Sequence, residues 1–187
     1  MADPKILQPF ILFWEGGYAN LPQDKGGPTN KGVTLTTFRN YFGKDKTIAD
    51  LKAITDEQWL YIFRMGFWDK WKADQINSQS IANLCVDWVY NSGKYGITKI
   101  QTLLGVKADG IVGPKTLQAL NAQDPQTFFR KAHQAREIFF RSLSNFNTFG
   151  KGWLNRNNSI GFGWLTYNGK KHTFIDNPNN CNCFCHK

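Results

Sequence analysis

The sequence predicts a mainly α fold, with one small β or loop segment near its start and a helical second half. Three observations carry this. Apolar residues recur at i, i+3, i+4 and i+7 through most of the 187 residues, the pattern of amphipathic helices. Proline and side-chain caps stand where those helices should begin. A single polar, glycine-rich stretch interrupts the pattern early: Glu15 to Thr34, E-G-G-Y-A-N-L-P-Q-D-K-G-G-P-T-N-K-G-V-T.

In the first helix Ile6, Leu7, Phe10, Ile11 and Trp14 form one buried face, and Gly16 or Gly17 stops it. Glu15 falls in the last turn, at the negative end of the helix dipole. The dipole and apolar neighbours such as Trp14 both disfavour a carboxylate there. The protonated form is therefore favoured, as a general acid requires. Only three glutamates occur, Glu15, Glu57 and Glu137, so few positions compete for that role. Asp24 follows nine positions later in an open, turn-rich stretch and should stay ionised. Two carboxyls held in different protonation states are what cleavage of a glycosidic bond needs.

Leu35, Phe38, Tyr41 and Phe42 predict the next helix, capped by Thr34 or Thr36 and stopped by Gly43. Thr47 opens a short one. Thr55 with Gln58 is a capping-box pattern, and that helix carries Trp59, Leu60, Phe63 and Phe67 inward, with Trp68 and Trp71 in the core. Residues 80–92 form the clearest helix: Ile81, Leu84, Cys85, Trp88 and Val89 make a buried stripe. Asn83, Asp87 and Asn91 make a polar stripe beside it, either a solvated face or the floor of a cleft. Ser92-Gly93 ends the helix. Asp109-Gly110 is a turn. Gly113-Pro114 starts a helix with Leu117 and Leu120 inward, and Asp124-Pro125 starts another. The latter runs to about Leu143, with Phe128, Ala132, Ala135, Phe139 and Leu143 on one face and His133 at its surface. Asn168-Gly169 between strand-forming residues predicts a type I′ hairpin. From Asn177 a flexible tail is expected.

Here the residues resemble a known family. Glu15-Gly16-Gly17-Tyr18 is similar to the signature of the glycoside hydrolase family 108 muramidases, a branch of the lysozyme superfamily. Glu15, Asp24 and a following threonine also resemble the arrangement in phage-type lysozymes, with Thr29 or Thr34 as the equivalent threonine. Asp87 to Gly93 (D-W-V-Y-N-S-G) resembles the segment that precedes the family's second domain. Gln101 to Leu104 and Ala108 to Thr116 (A-D-G-I-V-G-P-K-T) resemble a peptidoglycan-binding module, and Gly152 to Arg156 resembles the end of that module.

The resemblance implies a lysozyme-like catalytic domain over 1–93, a helical peptidoglycan-binding-like module over 94–160, and a hairpin with a cysteine-containing tail over 161–187. It implies hydrolysis of the β-1,4 bond between N-acetylmuramic acid and N-acetylglucosamine, with no cofactor. Glu15 would be the acid, Asp24 would position water or stabilise positive charge, and Thr29 or Thr34 would orient the water. Tyr18, Asn20, Asp87 and Asn91 would contact substrate. A lytic transglycosylase and a non-catalytic wall-binding or secretion accessory stay open as alternatives. Asp24 weighs against the first, and the intact Glu15 segment against the second.

A net charge of +9 suits an anionic partner such as bacterial peptidoglycan. No nucleic-acid motif accompanies it, and a monomer is expected. No segment reads as membrane-spanning or as a signal peptide. Synthesis in the bacterial cytoplasm is expected, with action on the wall in the periplasm after lysis through a holin or after specialised export. Cys85 reads as a buried free thiol. Cys181, Cys183 and Cys185 match no common zinc spacing, so no metal is expected.

Overall fold

The computed structural model describes residues 1–20 and 27–176. It is mainly helical, with two small antiparallel sheets among those residues. The chain divides into two compact units, Pro4–Gly66 and residues 1–3 with the chain from Phe67 onward.

In the first unit, helix α1 (Pro4–Glu15) buries Leu7, Phe10 and Ile11. Strands β1 (Thr29–Asn30) and β2 (Val33–Thr34) form a short hairpin. Its turn residues Lys31 and Gly32 have φ of 51° and 76°, the left-handed pair of a type I′ turn. Helix α2 (Leu35–Phe42) is capped by Thr34, and Gly43 ends it. Helices α3 (Ile48–Lys52) and α4 (Asp56–Phe63) each begin with a full capping box, Thr47 with Asp50 and Thr55 with Gln58. Tyr41 points outward, not into the core. Helix α4 passes into a π-helical turn at Arg64–Trp68, which leaves Phe67 only half-buried. The hairpin is tied down within this unit. Asn30 Nδ2 donates to the carbonyls of Leu51 (3.0 Å) and Lys52 (3.2 Å), and Trp59 Nε1 donates to Lys31 O at 2.9 Å.

The second unit is built around α5 (Gln79–Ser92), which is buried from Gln79 to Val89 on every side. This departs from the polar stripe expected along it: Asn83 and Asp87 are as buried as their apolar neighbours. Helix α6 (Tyr95–Leu103) packs against α5. Gly96 permits that approach, because a Cβ there would strike the α5 backbone at Trp88 and Val89. Gln101, buried in α6, organises the following loop: its amide donates to Asp109 Oδ1 (3.1 Å) and Ile111 O (3.0 Å), and its oxygen accepts from Gly110 N (2.8 Å). Helices α7 (Pro114–Asn121) and α8 (Pro125–Arg141) both start on proline, the second capped by Asp124.

The inward face of α8 is Phe128, Phe129, Ala132, Arg136 and Phe140. It is rotated from the expected stripe, because a charged residue sits inside it. Ala135, Phe139 and Leu143 are half-exposed. Helix α9 (Phe146–Asn158) leads into a sheet of β3 (Ile160–Gly161), β4 (Trp164–Tyr167) and β5 (Lys170–Thr173), paired in that order. Asn168 and Gly169 join β4 to β5 at φ of 51° and 69°. The chain then returns to α5. Asp176 Oδ1 accepts from Ser80 N (2.6 Å) and Ser78 Oγ (3.0 Å), a carboxylate at a helix N-terminus.

Candidate active site

Glu15 is the last residue of α1 and is half-buried. Gly16 follows at φ 71°, a left-handed conformation that stops the helix and turns the chain. The chain then runs straight into a ladder. Ala19 N donates to Thr29 O (2.8 Å) and Thr29 N donates to Ala19 O (2.9 Å). Thr29 in turn faces Thr34 across the hairpin. Ala19, Thr29 and Thr34 thus share one rung, four residues after the glutamate. Side chains alternate across a strand pair. Asn30 and Val33 take the buried side, so Thr29 and Thr34 take the other.

The two threonines differ in what their hydroxyls do. Thr34 Oγ1 accepts from Thr37 N (3.1 Å) and donates to Thr37 Oγ1 (3.0 Å), and so is committed to capping α2. Thr29 Oγ1 donates to Gly27 O at 3.2 Å, which leaves its lone pairs to accept from water. Tyr18 and Asn20 flank Ala19 and are both exposed. The Lys52 ammonium lies 4.3 Å from the Tyr18 ring centroid, which fixes one face of that ring. Asp24 lies outside the described residues, midway in sequence between the hydrogen-bonded Ala19 and Thr29.

Asp87 belongs to a different arrangement from the one expected of it. Its side chain is 0% exposed and meets two guanidinium groups: Arg136 Nη2 at 2.5 Å and Arg156 Nη2 at 2.7 Å. Burial pushes its carboxyl up, but the charges of Arg156 and Arg136 and their hydrogen bonds outweigh that and hold it below the usual range. An aspartate so enclosed has no surface to offer a substrate. Asn91 is exposed, and its amide donates to Asp87 O at 2.7 Å. The triad ties α5, α8 and α9 together, and the sequence reading pairs neither arginine with Asp87. The available signal was Arg136, four residues from both Ala132 and Phe140 on an apolar stripe, where a charge must find a partner. Cys85 is a buried free thiol pushed up by burial.

Among the described residues no cluster of His, Cys, Asp or Glu could hold a metal, and no helix is long and apolar enough to cross a membrane. Cys181, Cys183 and Cys185 lie outside those residues.

Comparison with known proteins assigns both halves. Residues 8–93 match the family described as glycosyl hydrolase 108, and residues 95–158 match a predicted peptidoglycan domain. The chain resembles the solved structure of Brucella abortus SagA at 32% identity and a TM-score of 0.68, over 81% of this chain and 87% of that one. The chain belongs to the glycosyl hydrolase 108 family. No curated protein matches it. Membership accounts for the mainly α, lysozyme-like fold and makes the protein a glycoside hydrolase with a peptidoglycan-hydrolase role. Peptidoglycan is its substrate. The two family matches meet near Gly93, where α5 ends, whereas the compact units divide after Gly66.

Proposed function

We propose that this family member is an N-acetylmuramidase, cleaving the β-1,4 bond between N-acetylmuramic acid and N-acetylglucosamine. Residues 1–93 would carry the chemistry and 94–160 the wall-binding module. The observation that carries this reading is the ladder directly after Glu15. A glutamate at a helix end, a glycine turn and a threonine rung are held in one small unit, with Asp24 in the intervening segment. Glu15 donates its proton to the departing sugar oxygen. Asp24 positions the attacking water or steadies the positive charge on the sugar ring. Thr29, whose oxygen can still accept, orients that water, while Thr34 is occupied in capping α2. Tyr18 and Asn20, exposed beside the rung, contact the glycan. The buried Asp87 takes no part in this reading.

Hydrolysis is favoured over transglycosylation because a second carboxylate and a threonine able to hold water are superfluous when no water is added. Digestion of purified peptidoglycan, with mass analysis of the released fragments, decides between them. Muramidase action gives fragments that have gained one water and end in reducing N-acetylmuramic acid. Anhydro-sugar ends would instead assign the transglycosylase reaction.

A further inference from the structure

Lys52 is not among the residues that the sequence places at the site, yet the structure ties it to the ladder twice. It is the last residue of α3. The buried Asn30 of β1 donates to the last two carbonyls of that helix, Leu51 O at 3.0 Å and Lys52 O at 3.2 Å. The backbone of Lys52 is thereby fixed to the strand that carries Thr29. Its exposed side chain reaches back to the Tyr18 ring, with Nζ 4.3 Å from the centroid, well within cation–π range.

These contacts close a circuit. Ala19 pairs with Thr29 through the backbone. Asn30, the next residue, holds the end of α3. Lys52 then returns to Tyr18, the residue before Ala19. Every link lies in the unit Pro4–Gly66. The ring needs such a hold. Tyr18 follows Gly16 and Gly17, the residue type with the widest backbone freedom. A Cβ added at either glycine would meet nothing within 4 Å, so no packing at those positions steadies the chain. Tyr18 itself keeps 38% of its surface exposed.

We propose that Lys52 is a positioning residue of the candidate site: its ammonium seats one face of the Tyr18 ring and so presents the other to the glycan. The proposal rests on the reading of Tyr18 as a glycan contact and adds the group that aims it. A ring already held in place gives up little rotamer freedom when a sugar stacks on it. Substrate then binds without the ordering cost that a free side chain would carry. The effect belongs to binding, because Lys52 acts only through Tyr18 and touches no reacting atom. It therefore falls on KM and leaves kcat nearly unchanged.

The test is a set of full-chain variants, read by KM and kcat on soluble, uncrosslinked peptidoglycan strands. Lys52→Met keeps an unbranched stem and removes the charge. It should raise KM about two- to fivefold, the scale of a cation–π contact at an exposed site, with kcat and melting temperature unchanged. Lys52→Arg should restore the wild-type KM, because a guanidinium also sits over an aromatic face. Lys44→Met removes a charge from another exposed position of the same unit and should leave KM alone. Tyr18→Ala should raise KM by itself, and adding Lys52→Met to it should raise KM no further. An unchanged KM in Lys52→Met, an equal rise in Lys44→Met, or a full further rise on top of Tyr18→Ala would overturn the proposal. A wild-type KM in Tyr18→Ala would overturn it together with the glycan contact. The same variants are also compared in chains carrying Glu15→Gln, as dissociation constants for a soluble muropeptide tetrasaccharide, read by NMR at the Ala19 amide. That readout needs no hydrolysis. Loss of the acid role of Glu15 would leave it in place, and failure of the Lys52 series would leave Glu15 untouched.

Discussion

At the scale of single residues, two aspartates have opposite meanings. Asp24 falls in sequence between Ala19 and Thr29, which share a rung, and in the proposed mechanism its worth is chemical. Asp24→Asn should lower turnover on purified peptidoglycan by about a hundredfold or more, the scale of acid–base groups, with melting temperature and wall pelleting nearly unchanged. Activity within about twofold of wild type would place water handling elsewhere. Asp87 is worth stability. Removing one member of a buried ion pair leaves uncompensated charge and costs about 3–5 kcal/mol, and here two guanidiniums would be stranded. Asp87→Asn should therefore melt well below wild type at neutral pH. The pH dependence follows in sign. The carboxyl is held below its usual range when folded, so its contribution is fully present above the unfolded value, about 4. It is lost as pH falls below that toward the folded value. Thermal melts across acid pH should show a decline in the wild type that is smaller in Asp87→Asn; parallel curves would deny the triad this role.

Elements were legible where the signal is local. The Thr55–Gln58 capping box, the helix start at Thr47, the proline starts of α7 and α8, the Gly43 stop and the Asn168-Gly169 turn all follow from residues within a few positions of one another. The candidate site was legible for the same reason, since Glu15 to Thr34 is one continuous stretch. Burial on the far side of an element was not legible, because it depends on partners distant in sequence. Asp87 meets Arg136 and Arg156 across 49 and 69 positions, so α5 read as amphipathic when it is enclosed. The turn at Lys31-Gly32 was missed because a lysine at positive φ is unusual; the hairpin is held by partners outside it, the Leu51 and Lys52 carbonyls that accept from Asn30 and the Trp59 indole that donates to Lys31 O. Distance also hid the cap on α5. Asp176 bonds to Ser78 and Ser80 from almost a hundred positions away. A chain ending at Asp176 should thus melt like the full protein, whereas one ending at Thr173 should melt several degrees lower. Equal melting temperatures for the two would show that the cap contributes nothing.

At the scale of the whole molecule, α5 lies inside the glycosyl hydrolase match but is packed by helices of the peptidoglycan-domain match. A fragment ending at Gly93 would expose a helix buried on all sides from Gln79 to Val89, together with Asp87 stripped of both arginines. Such a fragment should be insoluble or melt without cooperativity; a soluble, fully active 1–93 fragment would contradict this. In the proposed mechanism the chemistry rests on one proton. Glu15→Gln keeps the size and most of the hydrogen bonding of the side chain but cannot donate that proton. Release of reducing ends from purified peptidoglycan by the Gln variant, measured beside its melting temperature and its pelleting with wall fragments, tests the account most directly. We predict a loss on the order of 10²- to 10⁴-fold in rate, with folding and wall binding intact. A folded Gln variant that releases reducing ends at a near-normal rate would remove Glu15 as the acid and the muramidase mechanism with it.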